Sequence, residues 1–187
     1  MIKIIMVYVG KIICFLQRIK YKFIRCYQLS KLSKSGKNVY ISENCTFTYE
    51  NIEIGDNVYI GKNCIFQSTY GKIIIGNNVM FGPGVNIHCG NHIIDEIGKL
   101  MNDVRKKNPG DDGLIIIEDD CWIGSNAIIL SNTRIGKGSV VGAGAIVTKD
   151  IPTYSIYTGS PTKQLRPRFN DEDLEKHINL MSKRYNN

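Results

Sequence analysis

A six-residue repeat in residues 117–150 constrains the fold of this chain more than any other feature of its sequence. Large aliphatic residues recur at every sixth position: Ile117, Ile123, Ile129, Ile135, Val141 and Val147. Small residues stand two positions before the last five of them: Cys121, Ala127, Thr133, Ser139 and Ala145. A period of six fits neither an α-helix nor the plain alternation of a single strand. It is typical of a prism-shaped solenoid, whose sides are short strands joined by corners.

Weaker hexads precede this segment, from about residue 36 onwards. Their large apolar positions are Ile41, Phe47, Ile54, Ile60, Phe66, Ile75, Phe81 and Ile87. Grouping the hexads in threes predicts about five coils, which start near residues 36, 54, 75, 114 and 132. The hexads stop between Ile87 and Ile117, so we expect a loop excursion over about 88–113. Long irregular loops in compact folds are often functional.

The flanks of the repeat divide the chain into three expected parts: an N-terminal helical segment over 1–35, the β-helix over 36–150, and a C-terminal strap and helix over 151–187. Three prolines between Ile151 and Phe169 favour an extended strap. Asn170, followed by three acidic residues, suits the start of a short helix.

Residues 1–30 are apolar and basic, and Lys11 and Arg18 interrupt them too often for a membrane span. Five basic residues fall on one helical face: Lys3, Lys11, Arg18, Lys22 and Arg25. Two interpretations stay open, a cap on the end of the solenoid and an interfacial helix on anionic lipid. Without a recognisable signal peptide, a cytoplasmic location is favoured, with contact to the inner face of the membrane as the open alternative.

The formal net charge of +7 favours a polyanionic partner, an anionic membrane surface or the phosphates of a cofactor. Nucleic acid is not expected, because the chain has neither a zinc-binding Cys and His spacing nor an RNA-binding aromatic signature. The six cysteines include no CxxC pair. Cys64 and Cys121 occupy the small position of a hexad, where a thiol serves as a small apolar group, so disulfides are not expected.

Three segments carry a resemblance to a known family: CWIGSNAIIL, VVGAGAIVTKDIP and GSPTKQLRPRF. They resemble the hexapeptide-repeat acyltransferases, and within them the subgroup of maltose, galactoside and envelope-polysaccharide O-acetyltransferases, over roughly residues 36–169. The resemblance implies an all-β fold, a left-handed parallel β-helix. It also implies a homotrimer with active sites between subunits, acetyl-CoA as co-substrate, a saccharide acceptor and no metal. The expected role is sugar O-acetylation in capsule, O-antigen or exopolysaccharide biosynthesis.

The resemblance also assigns site residues. His92 matches the family's general base, and Asp95 is expected to orient it; a neutral imidazole can accept a proton at neutral pH. His88 is the rival base and otherwise a substrate contact. Where some sugar acetyltransferases hold the acceptor with an asparagine from the second coil, this chain offers Gln67 or Ser68 instead. The expected oxyanion donor is the backbone N–H of Ser125. The positions expected to bind the coenzyme are Trp122, Ser125, Ala143, Thr148, Lys149, Lys163 and Arg166.

Trp122 has a second argument from the sequence alone. It directly precedes the inward Ile123, so strand alternation turns it outward, where a ligand or a subunit is expected to cover it. The resemblance places this tryptophan beside the pocket for coenzyme and acceptor, so it is expected to contact both.

The expected mechanism is direct transfer, with His92 taking the proton of the acceptor hydroxyl as it attacks the thioester. Three alternatives stay open. The first is N-acetylation of a nucleotide-linked amino sugar, which the motifs do not distinguish from O-acetylation. The others are a γ-class carbonic anhydrase, for which His177 is a poorly placed third zinc ligand, and a scaffold without catalytic activity.

Overall fold

The fold is built from three parallel sheets that form the sides of a prism. The computed structural model describes residues 2–107, 110–159 and 164–185. Sheet A consists of β1 (Lys34–Ser35), β4 (Ile52–Ile54), β7 (Lys72–Ile75), β10 (Leu114–Ile117) and β13 (Thr133–Ile135). Sheet B contains β2 (Tyr40–Ile41), β5 (Tyr59–Ile60), β8 (Met80–Phe81), β11 (Trp122–Ile123), β14 (Val140–Val141), β16 (Ser155–Thr158) and β17 (Gln164–Pro167). Sheet C consists of β3 (Thr46–Phe47), β6 (Ile65–Gln67), β9 (Asn86–His88), β12 (Ile128–Leu130) and β15 (Ile146–Val147).

Each coil adds one strand to each sheet in the order A, B, C, which gives the parallel β-helix of five coils that the repeat predicts. The helix is left-handed, as the family resemblance implies. The large residue of each hexad points inward and stacks on its equivalent in the next coil. Ile75 pairs with Ile117, and Ile117 with Ile135. All three are at most 2% exposed. The interior is therefore a continuous column of aliphatic and aromatic side chains.

The corners between sheets A and B need a left-handed backbone, which asparagine tolerates better than other residues with a side chain. Asn38, Asn57 and Asn78 occupy this corner in the first three coils, with φ angles of 56°, 56° and 58°. The amide of Asn38 donates to Asn57 (3.1 Å), and that of Asn57 donates to Asn78 (3.2 Å). The same residues therefore form the turn and join adjacent coils.

The excursion leaves the prism at the corner between sheets C and A and returns to the same corner. The N–H of Gly113 donates to the carbonyl of Cys89 over 2.9 Å, which closes the neck of the loop. Strand β10 then pairs with β7 in register. The loop contains a 3₁₀ helix, Met101–Asp103. An insertion at one corner therefore leaves the stacking of the coils unchanged, and the predicted excursion is confirmed.

Helix α1 (Ile2–Lys31) contacts the first coil only through its C-terminal end. The side chain of Gln28 is buried and donates to the carbonyl of Cys45 (3.2 Å), and Arg25 Nε donates to that of Ile41 (2.9 Å). Leu32, just after the helix, joins the core. Residues 2–20 are exposed apart from the half-buried Gly10. The capping interpretation thus applies only to the end of the helix. Within the described part of the chain, no helix is long and apolar enough to cross a bilayer.

The C-terminal segment closes the other end. Strand β16 extends sheet B, and β17 pairs with it in antiparallel fashion, so these two parts of the predicted strap are extended. Helix α2 (Asp171–Tyr185) begins where Asn170 Oδ1 accepts the N–H of Asp173 at 2.7 Å. His177 packs on the ring of Phe169, with the ring centroids 4.9 Å apart.

We predict that the cysteines differ sharply in reactivity. Cys64, Cys89 and Cys121 are buried, and burial raises the pKa of the Cys121 thiol to about 12. Because the thiolate is the reactive form, iodoacetamide at pH 8 should modify the exposed Cys14 and Cys26 and spare the three buried thiols until the protein is unfolded. Peptide mass spectrometry measures this. Modification of Cys121 as fast as Cys14 would contradict the packed interior.

Candidate active site

Trp122 lies in an outward-facing apolar column on sheet B. Strand alternation places Ile123 in the core and the indole of Trp122 outside, and Trp122 is 52% exposed, as expected. Its register neighbours are Met80 in the preceding coil and Val140 in the following one. The sheet B column comprises Tyr40, Tyr59, Met80, Trp122, Val140 and Ile156. Met80 is absent from the residues predicted for the site. It directly precedes the inward Phe81, so strand alternation predicts an outward side chain for Met80 as it does for Trp122.

Two backbone amides without a protein partner lie beside this column, at the corner between sheets B and C. Ser125 follows Gly124, and Ala143 occupies the equivalent position one coil later, about 4.8 Å away. Among residues 2–107, 110–159 and 164–185, neither N–H donates a hydrogen bond. A Cβ on Gly82 would lie 2.6 Å from Ser125 N, and one on Gly124 would lie 2.6 Å from Ala143 N. The glycines therefore allow the coils to stack closely beside the Ser125 and Ala143 N–H groups.

His88 and Gln67 lie at the opposite edge of sheet C, at the ends of β9 and β6. They are register neighbours, and His88 Nδ1 lies 2.9 Å from Gln67 Oε1. A carbonyl oxygen only accepts, so His88 donates from Nδ1, and in the neutral ring its lone pair is on Nε2. The outward Leu130 follows His88 in the next coil. Gln67 and His88 thus form a polar pair on the outer surface of the prism.

His92 lies in the excursion loop and is held by the backbone. Its Nε2 is 2.5 Å from the carbonyl oxygen of Met101. The carbonyl accepts, so Nε2 carries the hydrogen, and a neutral His92 has its lone pair on Nδ1. Asn91 joins this part of the loop to the fourth coil, because its Nδ2 donates to Ser131 Oγ at 3.1 Å.

Asp95 lines the same open cavity as His92, of about 690 Å³, together with Asp111. Within the described residues no hydrogen bond joins the Asp95 carboxylate to the imidazole, so the ring is oriented by the Met101 carbonyl and not, as expected, by Asp95. Met101 could not be predicted, because the loop has no repeat from which to place its backbone. The described residues also include no group of three or more His, Cys, Asp or Glu side chains arranged to hold a metal ion.

The loop is fastened to the prism by a buried carboxylate. The side chain of Asp112 is 1% exposed, and its Oδ1 lies 2.5 Å from Lys107 Nζ. Its Oδ2 accepts the N–H of Tyr70 at 3.2 Å, and Lys107 lies over the Tyr70 ring. Gly90 passes so close to this carboxylate that a Cβ there would be 2.6 Å from either oxygen. This cluster fixes the neck of the loop that carries His92.

The predicted site residues separate into two groups at the two edges of sheet C. The amide edge, between sheets B and C, has Ser125 and Ala143, with Trp122 on the adjoining strand. The histidine edge, between sheets C and A, carries Gln67, His88, His92, Asp95, Thr148 and Lys149.

Ser125 lies just before β12. Ser131, which accepts the hydrogen bond from Asn91 in the loop, lies just after β12. The two edges are therefore separated by one side of the prism, roughly 15–20 Å. One chain therefore does not bring His92 and the Ser125 amide together.

Two further predicted coenzyme contacts lie on the strap. Arg166 is exposed on β17 and pairs with Ile156 at the end of the sheet B column, on the same side as the amide edge. Lys163 lies outside the described residues. The exposed cations Lys149 and Arg166 thus belong to different groups.

Comparison with known proteins identifies the repeat. Residues 115–149 match the model of the bacterial transferase hexapeptide (six repeats), and residues 51–71 match that of the hexapeptide repeat of succinyl-transferase. The crystal structure of a maltose O-acetyltransferase from Clostridium difficile 630 has a TM-score of 0.69 and 32% sequence identity, over 81% of this chain and 77% of the other. The chain belongs to the hexapeptide-repeat transferase family.

Two other members relate this family fold to acetyl transfer. A hexapeptide-repeat acetyltransferase from Vibrio cholerae O1 biovar eltor, solved with acetyl coenzyme A, has a TM-score of 0.67 and 26% identity, over 78% of this chain and 76% of that one. The galactoside O-acetyltransferase of Lactococcus lactis is 38% identical over 56% of this chain and 47% of its own length. Relatives named as N-acetyltransferases match as well. The chain spans about half the length of the first curated relatives it matches.

The buried ion pair at the loop neck gives a stability prediction. Lys107→Met leaves the Asp112 carboxylate buried without its cation, which should lower the free energy of opening the loop neck by about 2–4 kcal/mol. Amide hydrogen exchange at Tyr70 and Gly113 reports this opening. Lys106→Met is the matched control, because Lys106 is exposed, and it should leave both exchange rates unchanged. Equal protection in the two variants would contradict the role of Lys107.

Proposed function

We propose that this chain is an acetyl-CoA-dependent O-acetyltransferase that acts on a sugar hydroxyl in the cytoplasmic synthesis of a capsule, an O-antigen or an exopolysaccharide. The observation that carries the proposal is the pair of free amides, Ser125 and Ala143, beside the outward Trp122. Ser125 is half-buried and Ala143 is exposed, and no protein acceptor competes for their N–H groups, so both are available to a ligand with carbonyl oxygens. The relatives named maltose and galactoside O-acetyltransferases support a sugar acceptor.

Acetyl-CoA fits the residues at the two edges. Trp122 and Met80 offer an apolar wall for its pantetheine arm, and the Ala143 N–H is available to an amide carbonyl of that arm. Lys149 and Arg166 are exposed cations suited to its phosphates, and Thr148 adds a hydroxyl.

His92 acts as the general base. Its Nδ1 accepts the proton of the sugar hydroxyl while the hydroxyl oxygen attacks the thioester carbonyl carbon. The imidazolium that forms is stabilised at Nε2–H by the Met101 carbonyl, which already accepts this bond in the free enzyme. When the tetrahedral intermediate collapses, the C–S bond breaks, and the imidazolium returns the proton to the thiolate of coenzyme A. No covalent acyl-enzyme forms.

The Ser125 N–H stabilises the negative charge that develops on the carbonyl oxygen. A donor fixed by the backbone needs no reorganisation as the charge forms, which is the basis of such catalysis. The hydroxyl of Ser125 has no part in this step.

The separation of the two edges supports a site shared between subunits. His92 and the Ser125 amide lie on opposite edges of one side of the prism, whereas the histidine edge of one chain can face the amide edge of a neighbour. Cyclic symmetry then completes every site in the same way. We propose a homotrimer, the assembly that the family resemblance implies.

We predict that His92→Ala lowers the rate of acetyl transfer by about 10²–10⁴-fold, the usual contribution of a general base. The assay is chromatographic detection of free coenzyme A with acetyl-CoA and a panel of polysaccharides, free sugars and nucleotide-linked amino sugars. Binding of acetyl-CoA, measured by calorimetry, should be retained, because His92 does not hold the coenzyme.

His88→Ala is the matched control, since His88 lies on the same edge with its lone pair on the other nitrogen. It should weaken acceptor binding, raising KM more than it lowers kcat. A loss of kcat in His88→Ala with a normal rate in His92→Ala would assign the base to His88. Turnover with amino sugars alone would establish N-acetylation, and the absence of acetyl-CoA binding would favour the scaffold.

A further inference from the structure

Helix α1 carries the entire net charge of the protein. Of the 24 basic residues of the chain, seven lie in Ile2–Lys31, where there is no acidic residue. The remaining 17 basic residues are balanced by 17 acidic ones, so the rest of the chain has a formal charge of zero. The positive charge of this protein is therefore local and confined to one element.

The same helix has an apolar face beside most of this charge. With 100° per residue, Lys3, Lys11, Arg18, Lys22 and Arg25 fall within an arc of roughly 100°. Next to it, an arc of roughly 100° contains Ile5, Ile12, Phe15, Leu16, Ile19 and Phe23. From Ile5 to Phe23 this apolar face runs for about 27 Å along the axis. The arrangement is typical of helices that lie in a membrane interface.

The apolar face has no cover in the described part of the chain. Exposure on this face ranges from 39% for Ile19 to 72% for Phe23. The helix is nevertheless fixed to the prism by its end. Arg25 donates to the Ile41 carbonyl, and its guanidinium lies 3.7 Å from the Tyr40 ring centre. The attachment uses the basic side of the helix and leaves the apolar side outward.

We propose that α1 is a membrane-binding element that lies on an anionic lipid surface, with its apolar face among the acyl chains and its basic residues at the phosphate headgroups. A second copy of the helix is the less favourable occupant. Pairing two helices that carry seven positive and no negative charges brings like charges together, without an acidic residue to offset them. An anionic bilayer satisfies both faces at once.

The test is flotation of the full-length protein with vesicles of phosphatidylcholine alone or with 30% phosphatidylserine. Binding is expected on the anionic vesicles, weak on the neutral ones, and reduced by salt. Leu16→Glu with Phe23→Glu should lower the partition coefficient on anionic vesicles by about tenfold or more, because it removes two apolar side chains from the interface. Lys11→Gln with Arg18→Gln and Lys22→Gln should abolish the preference for phosphatidylserine.

Lys106→Gln with Lys176→Gln and Lys183→Gln is the matched control, since it removes the same charge from exposed positions outside α1 and should leave flotation unchanged. Equal flotation by the Leu16 and Phe23 variant and by the unaltered protein would overturn the proposal. Absence of binding to both kinds of vesicle would also overturn it. A third contrary result is a smaller assembly of that variant in light scattering without a change in flotation, because this would show that the apolar face binds another copy of the chain. None of the changes in α1 touches the amide or histidine edge, so acetyl transfer by these variants without lipid tests the proposed function separately.

Discussion

Stacking of one aliphatic residue every six positions is the interaction on which the rest of the structure depends. Each inward residue contacts its equivalent in the coils before and after, and each strand forms its hydrogen bonds with the same neighbours. The register is therefore fixed twice, by packing and by hydrogen bonding. A shift of one residue would turn Ile117 and Ile135 outward and place polar residues in the interior. Irregular chain is accommodated only at corners, as the excursion between Cys89 and Gly113 illustrates.

The same period determines the geometry of the candidate site. A corner recurs every six residues, so groups on successive corners of one coil are a full side of the prism apart. The Ser125 amide and the loop that carries His92 occupy two such corners. A chemistry that needs both groups within hydrogen-bonding distance of one substrate requires a neighbouring prism, and repetition around a closed ring supplies it. Oligomerisation is then a condition of activity in this account.

The sequence predicts whatever follows from the period. The inward residues, the left-handed asparagines at corners and the outward Trp122 all lie where the hexads put them, because each depends on position within a repeat. The hexad spacing also places Ser125 at a different corner from Thr148 and Lys149, but the motif resemblance grouped these residues in one site without considering the corners.

Contacts outside the repeat could not be predicted. The Met101 carbonyl beside His92 and the ion pair of Lys107 with Asp112 depend on the path of a loop without periodicity. How much of α1 extends beyond the prism depends on where its packing against the first coil ends. Its two faces were visible in the sequence, but which of them the prism covers was not.

The most direct test of a site shared between chains is complementation between two inactive variants. Pro83 occupies in the third coil the position that Ser125 occupies in the fourth, so the corner accepts proline, and Ser125→Pro removes the free N–H together with the hydroxyl. Ser125→Ala keeps the N–H and should be active. When Ser125→Pro and His92→Ala chains are refolded together in equal amounts, about a quarter of the inter-chain sites regain both groups, and acetyl transfer should recover to about that fraction. Mixed assemblies without recovered activity would show that both groups act within one chain, and would contradict this account.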